Sequence, residues 1–436
     1  MKKIKIVRII TRLNNGGPAK HVVWLNAGLN KDVFDTVLVA GRVEENENNL
    51  DGYAAFHGIR TYYIPEMTRS ISFVKDAVSF FKLVKLFIEE KPDIIHTHTS
   101  KAGFIGRVGA LAYNLIYNAK VVHTYHGHTF HGYFGPLKGR VFLALERFLA
   151  GRATDRIVVI SKRQFQEIHK VFLVGKAGQF DVIPLGVDTA LEDTDGADGR
   201  EKIPFRREFF ALAGYFSVIG IVGRIAPVKN HLMFLTAASI MLKRGYGDRV
   251  RFVIIGDGAG RDTSQLREFV RKEGMEGFVV FAGNRHDTRN FFDALDIVAL
   301  TSVNEGTPLS LIEAMAAKKP FVATDVGGVG DLMVSAPETG KTADGLGGFR
   351  IYSNGILVNS GDADGFAAAL QMLVENKALG NEMGNKGREF VNINYSKERL
   401  IRDIENLYMR LIPDQQTKRQ TGGFFKNEAL AKVKKT

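Results

Sequence analysis

The chain has 436 residues, a formal net charge of +12 and no cysteine. Such a length points to two or three domains, and the missing cysteine excludes disulfides, thiolate zinc sites and a cysteine nucleophile. The excess positive charge asks for an acidic partner: a phosphorylated substrate, an anionic lipid or, ranked last without zinc-finger spacing or RNA-binding aromatics, nucleic acid.

Met1–Ile10 opens with charges that continue into its apolar run. It reads as a buried first strand rather than a signal peptide. No apolar stretch approaches the roughly 18–20 residues of a spanning helix. In the first half, strand-like runs fall at Lys5–Thr11, Thr36–Ala40, Arg60–Ile64, Asp93–Thr97, Lys120–Thr124, Arg156–Ser161 and Asp181–Leu185. Helical patterns alternate with them, one carrying Phe73, Ala77, Phe80, Val84 and Phe87 as its apolar stripe. Thr189–Arg200 is acidic and aperiodic, a linker or surface insertion.

The alternation then restarts, with strands predicted at Ser217–Val222, Arg251–Ile255, Phe278–Ala282, Ile297–Leu300, Pro320–Thr324 and Gly355–Val358. Ala336–Tyr352, rich in Gly, Thr and Ser, reads as an exposed excursion. Helices follow around Ala363–Glu375, Asn381–Asn392 and Lys397–Ile412, then a basic tail whose composition favours disorder. The fold class is therefore α/β, with two doubly wound, Rossmann-like domains. Their expected limits are 1–188 on the acceptor side, a linker at 189–206, 207–395 on the donor side, a terminal helix at 396–412 and the tail at 413–436. Such domains place ligands in the cleft at their strand C-terminal ends.

The strongest chemical signal runs from Thr301 to Ala316 (TSVNEGTPLSLIEAMA). A strand ends near Ser302, Gly306 permits a tight turn and Pro308 suits a helix start. Backbone N–H groups from Gly306 through Thr307 and Leu309 to Ser310 would favour a phosphate. Glu305 and Glu313 would repel that phosphate but accept hydroxyls, which a sugar nucleotide offers on its sugar and its ribose. Gly223–Asn230 (GRIAPVKN) sets Arg224 and Lys229 after the first strand of the second half. Together they can neutralise a departing diphosphate, as magnesium does in other transferases.

Weaker signals are the Gly16-Gly17 turn, which lets backbone approach a ligand, and Ile255–Gly260, a tight turn lacking the full dinucleotide spacing. Four histidines lie in nine positions (His123, His126, His128, His131), and His96 and His98 share one strand face. With no Cys, Asp or Glu in that run, no metal site is expected; His126 is read as a donor-sugar contact.

Together these motifs resemble the retaining glycosyltransferases of family four, the group 1 enzymes of GT-B fold. The resemblance spans nearly the whole chain. Its most specific part is Glu305-x7-Glu313, within EGTPLSLIEAMAAKKPFVATDVGG. GRIAPVKN, VIPLGVD at Val182–Asp188, VIIGDG at Val253–Gly258 and VVISK at Val158–Lys162 support it. It implies Glu305 on donor sugar hydroxyls, Glu313 on the ribose, and Arg224 and Lys229 on the diphosphate. Gly16 and Gly17 would line the donor phosphate or the acceptor, His126 the sugar, and Asn284 and Arg285 the base. It also implies a final helix crossing back to the first domain. Lys318-Lys319 where glycine is common, Asp331 where Glu is frequent, and the long excursion depart from the pattern.

The expected reaction is retaining, metal-independent transfer of a sugar from a nucleotide-diphosphate sugar to an acceptor hydroxyl, with no cofactor. UDP is favoured on family frequency. The acceptor is expected to be a lipid-linked or polysaccharide precursor in cell-surface polysaccharide synthesis. Phe130–Arg152 mixes aromatics with cations and reads as a face for an anionic membrane, so a cytoplasmic enzyme peripheral on the inner face is expected. The rival readings are a non-catalytic sugar-nucleotide-binding partner subunit and a nucleotide-sugar 2-epimerase. An NAD-dependent oxidoreductase is disfavoured, since its fingerprint is missing near the first strand.

Overall fold

The computed structural model describes residues 2–14, 17–43, 50–68, 70–127, 136–189, 216–258, 260–285, 288–335, 338–341 and 348–412. The chain divides into two compact units, one ending at Gly186 and resuming at Lys397, the other running from Val187 to Ser396.

In unit 1 the strands are β1 (Ile4–Ile10), β2 (Phe34–Gly41), β3 (Thr61–Ile64), β4 (Ile94–His98), β5 (Lys120–Tyr125), β6 (Arg156–Val159) and β7 (Phe180–Val182). They form one sheet in the order β3-β2-β1-β4-β5-β6-β7, every neighbouring pair parallel. Such strands are covered on both faces, which is why they read as near-continuous apolar runs. On one face Val7, Ile9, Val37 and Ile95 pack with Leu83, Phe87, Ala102 and Tyr113. On the other, Ile4, Ile6, Phe34 and Ile94 pack with Leu25 and with Leu400, Ile404, Leu407 and Tyr408 of the final helix, Lys397–Leu411.

The helix Phe73–Glu90 corrects one expectation. It buries Ser79, Leu83, Leu86 and Phe87, whereas Phe73 is 90% exposed. Its apolar residues spread over more than half of the circumference, with Lys75, Lys82, Lys85 and Glu89 on the remaining side. Two neighbouring 3.6-residue stripes therefore fit it, and both contain Phe87. The one that packs lies about 100° from the one read.

In unit 2 the strands are β8 (Ser217–Val222), β9 (Val250–Ile255), β10 (Val279–Gly283), β11 (Ile297–Leu300), β12 (Phe321–Thr324), β13 (Glu338–Lys341), β14 (Gly348–Tyr352) and β15 (Gly355–Val358). Their order is β10-β9-β8-β11-β12-β15-β14-β13. Pairing is parallel as far as β15, and antiparallel for β14 and β13. Ala336–Tyr352 is thus no mere excursion, because it supplies two edge strands. The turn from β14 to β15 is only Ser353-Asn354, a hairpin that the glycine-rich composition obscured. The basic tail, Phe130–Phe134 and nearly all of the acidic linker lie outside the described residues.

Candidate functional site

Ligands of doubly wound sheets gather beyond the strand carboxyl ends where the strand order reverses. In unit 2 that reversal lies between β8 and β11. The loop after β8 carries Arg224 and Lys229, and the loop after β11 carries Glu305.

The two loops are tied together through their backbones. Pro227–Lys229 forms a 3-10 turn, and the Asn230 side chain caps the helix His231–Lys243 by accepting from the Met233 N–H. Thr301 Oγ1 donates to the carbonyls of Lys229 and Asn230 (3.1 and 2.9 Å), while Val303 N–H donates to Val228 (2.9 Å). Lys229 Nζ consequently meets Glu305 Oε1 at 2.5 Å, and Ser302 Oγ donates to the same oxygen at 2.6 Å. Lys229 and Glu305 retain 25% and 11% exposure, so a partly shielded ion pair stands at the switch point. Arg224 is exposed and has no hydrogen bond or ion pair among the described residues, which leaves its fork open to an oxyanion.

Two glycine pairs close the remaining gaps. Gly256 holds φ +137° and packs on the Gly223 carbonyl, where a Cβ would collide. Gly327 and Gly328 press on the carbonyls of Glu305 and Gly306 in the same way, and Gly328 N–H donates to Glu305 (3.1 Å). Neither pair was proposed as part of the site from sequence. The signal for Gly327 and Gly328 was their place at the end of the TDVGG motif.

Helix Leu309–Ala316 starts one residue later than the sequence suggests, with Pro308 at the cap (φ −73°, ψ 103°). Its first N–H groups, at Leu309 and Ser310, have no partner within the helix. The Thr307 hydroxyl at its head is buried with no hydrogen bond among the described residues. Glu313 is half-buried inside this helix. Asn284 and Arg285 follow β10, two strands from β8, at the same carboxyl edge. Lys318 takes φ +57°, the left-handed conformation that explains why glycine suits this position.

Unit 1 reverses its strand order between β1 and β4, and histidines stand there. Gly17 opens the helix Gly17–Gly28, whereas Gly16 lies outside the described residues. His96 Nδ1 lies 2.6 Å from Tyr408 Oη, and its Nε2 lies 2.7 Å from Thr124 Oγ1. Tyr408 in turn accepts from Arg8 Nη2 (2.8 Å). His98 Nδ1 and His126 Nε2 lie 2.9 Å apart, and the His21 ring meets His126 edge-on at 4.8 Å. Burial pushes the His126 ring down to about 3 and holds His21, His96 and His98 well below the usual histidine value; nearby cations add to this. All four rings are therefore neutral near pH 7.

Family models for glycosyl transferases group 1 and for Glycosyltransferase Family 4 match residues 217–376 and 15–191. The chain belongs to the family 4, group 1 glycosyltransferases. It is 28% identical over 354 residues to an Escherichia coli UDP-Gal:alpha-D-GlcNAc-diphosphoundecaprenol alpha-1,3-galactosyltransferase, covering 81% of this chain and 84% of that one. The Staphylococcus aureus capsular polysaccharide biosynthesis glycosyltransferase CapM is 23% identical over 82% of this chain and 87% of its own length. Among solved structures, a Rickettsia africae glycosyltransferase superposes with TM-score 0.75 at 16% identity over 94% of this chain and 99% of that one. Anabaena HepE in complex with UDP gives TM-score 0.73 at 19% identity over 94% and 100%. The fold is that of GT-B glycosyltransferases. No helix among the described residues is long and apolar enough to cross a membrane.

Proposed function

We propose that this glycosyltransferase moves a sugar from a UDP-sugar to a hydroxyl of a lipid-diphosphate-linked glycan precursor, with retention and without a metal or other cofactor. The observation that carries the reading is the Lys229–Glu305 pair at the switch point of unit 2, beside the open Arg224 guanidinium. A sugar nucleotide needs a cation cluster for its diphosphate and a carboxylate for its hydroxyls, and these residues supply both within one pair of loops.

In this reading Arg224 and Lys229 hold the diphosphate together with the N–H groups heading the Leu309–Ala316 helix. As the sugar–oxygen bond breaks, charge builds on the departing diphosphate, and these fixed donors stabilise it. Glu305 accepts from the donor sugar hydroxyls and Glu313 from the ribose. Asn284 and Arg285 border the base. A phosphate oxygen of the leaving group takes the acceptor proton. UDP is the favoured nucleotide because HepE was solved with it and the E. coli relative is named for UDP-Gal. The same relative's name supports a polyprenyl-diphosphate acceptor.

A lipid-linked acceptor calls for a membrane face, and the helix Pro136–Arg152 offers one. Val141, Leu145 and Phe148, spaced four and three residues apart, are all exposed, with Arg140 and Arg152 exposed near them. An apolar stripe flanked by cations suits an anionic surface and supports reading the enzyme as peripheral on the cytoplasmic face of the membrane.

The test is to screen nucleotide sugars by thermal stabilisation, then incubate the best one with a polyprenyl-diphosphate sugar in EDTA. The expected outcome is preferential stabilisation by a UDP-sugar and formation of a longer lipid-linked glycan. Donor binding without transfer would favour a partner subunit, and donor isomerisation without an acceptor would favour the 2-epimerase.

A further inference from the structure

The helix Phe73–Glu90 carries apolar residues on two faces, and unit 1 buries only one of them. Ser79, Leu83, Leu86 and Phe87 pack inward, whereas Phe73, Val74, Phe81 and Ile88 face solvent, with Val74 and Phe81 75% and 69% exposed. Along the outer face Val74, Ala77, Phe81, Val84 and Ile88 recur at spacings of three and four, the seam of a helix that packs on another helix. The helix Ser100–Tyr113 lies alongside, its Tyr113 ring 5.8 Å from Phe87. Just beyond its end, Leu115 and Ile116 are more exposed still than Val74. Apolar surface thus gathers at both ends of the outer face: Phe73 and Val74 at one, Ile88, Leu115 and Ile116 at the other.

Soluble monomers rarely leave so large an apolar patch in water. We propose that this face pairs with the same face of a second copy of the chain, the two Phe73–Glu90 helices lying antiparallel about a two-fold axis near Phe81. A closed dimer of this kind is isologous, so the patch has to complement itself. Antiparallel pairing does this by laying Phe73 and Val74 of each copy on Ile88, Leu115 and Ile116 of the other. With Phe81 meeting its own symmetry mate, the contact buries on the order of 1,000–1,500 Å² in total, the size of a specific interface.

Charge selects both the orientation and the partner. Lys75 and Glu89, fourteen residues apart, lie on the same flank of the outer face at its opposite ends. Lys75 makes no ion pair among the described residues, and Glu89 is exposed, 3.8 Å from the equally exposed Lys85. Antiparallel helices bring Lys75 of one copy towards Glu89 of the other, twice by symmetry. Parallel helices would set Lys75 against Lys75 and Glu89 against Glu89. A lipid surface suits this face less well. The nearby Lys82 and Lys101 are already held by Glu66 (2.7 Å) and Asp76 (2.5 Å), so the rim is mixed in sign rather than cationic.

The experiment is sedimentation velocity on the full-length chain, without detergent or vesicles, from about 1 to 100 μM, the range in which a modest interface dissociates. A species of twice 48.3 kDa should dominate at the upper end. Phe81→Glu, at an exposed position, should keep a native circular dichroism spectrum and remain monomeric throughout. Lys75→Glu should weaken association at least tenfold, and adding Glu89→Lys to it should restore the dimer. That rescue is a result which mere damage to the fold cannot produce. A monomer at every concentration would overturn the proposal, as would a dimer that Phe81→Glu leaves intact. Monomers that bind anionic vesicles through this face, with binding lost in Phe81→Glu, would assign it to lipid and overturn the proposal too. All readouts are independent of glycosyl transfer, so a failed donor or acceptor assignment leaves this result standing.

Discussion

The two units use the same sheet topology at their switch points but fill them with opposite chemistry. Unit 2 places a half-buried lysine–glutamate pair and an open arginine on adjacent loops. Unit 1 places neutral, buried histidines on three separate elements, backed by the buried Arg8. In unit 2 the charged groups reach solvent and can exchange one partner for a ligand. In unit 1 burial keeps the rings neutral, each with one N–H and one lone pair rather than a charge. One architecture thus yields an exposed electrostatic site in one unit and a neutral, buried imidazole cluster in the other, and burial decides which.

The largest effect expected is on the electrostatic side. Replacing Arg224 or Lys229 by Ala should lower the transfer rate by about 10²–10³-fold, the usual loss when one donor to developing charge is removed. Steady-state kinetics on protein with a native circular dichroism spectrum would show it, and near-normal rates would remove both residues from the mechanism. Gly328→Ala should follow, with a loss of roughly tenfold or more, because a Cβ there displaces the Gly306 carbonyl beneath the donor loop. If Gly328→Ala bound donor normally, the packing account of that loop would fail.

The same contrast explains what the sequence could and could not disclose. Glu305, Gly306 and Glu313 lie within nine residues of one another, as do Arg224 and Lys229, so local spacing was enough to nominate them. Their meeting depends on Thr301 holding the carbonyls of Lys229 and Asn230, a long-range bond with no local signature. The histidine cluster was illegible for a related reason. A search within the His123–His131 run could not see that His126 meets His98 and His21, which come from two earlier elements. The edge strands β13 and β14 were missed because Gly and Thr signal loops by composition. The buried face of Phe73–Glu90 was read right at Phe87 but about 100° off overall, because apolar residues cover more than half of that helix and only packing selects among its stripes.

Acid provides a way to separate the units. His21, His96, His98, His123 and His126 in unit 1 all have their pKa lowered by burial, whereas in unit 2 only His231, moved to about 4, does so among the described residues. The unfolded chain regains ordinary histidines near 6.5. Below that pH it binds protons that the folded state refuses, so stability falls as pH drops from about 6.5 towards 4. Hydrogen exchange in EDTA at pH 7.5 and pH 5 should show β1, β4 and β5 losing protection more than β8, β9 and β11. Equal losses would mean that the buried rings do not set the acid stability.

The smallest expected effect lies at the surface. Changing Val141, Leu145 and Phe148 together to Ser should leave the melting temperature within a degree or two, since all three are exposed. It should reduce binding to anionic vesicles several-fold in a sedimentation assay. Unchanged binding would move the membrane face elsewhere on unit 1.

The most direct test of the account is the anomeric configuration of the product, read by NMR after reaction of a UDP-α-sugar with a polyprenyl-diphosphate-linked acceptor in EDTA. Retaining, metal-independent transfer predicts an α-linked product at a rate unaffected by the chelator. A β-linked product, or transfer abolished by EDTA and restored by a divalent ion, would contradict it.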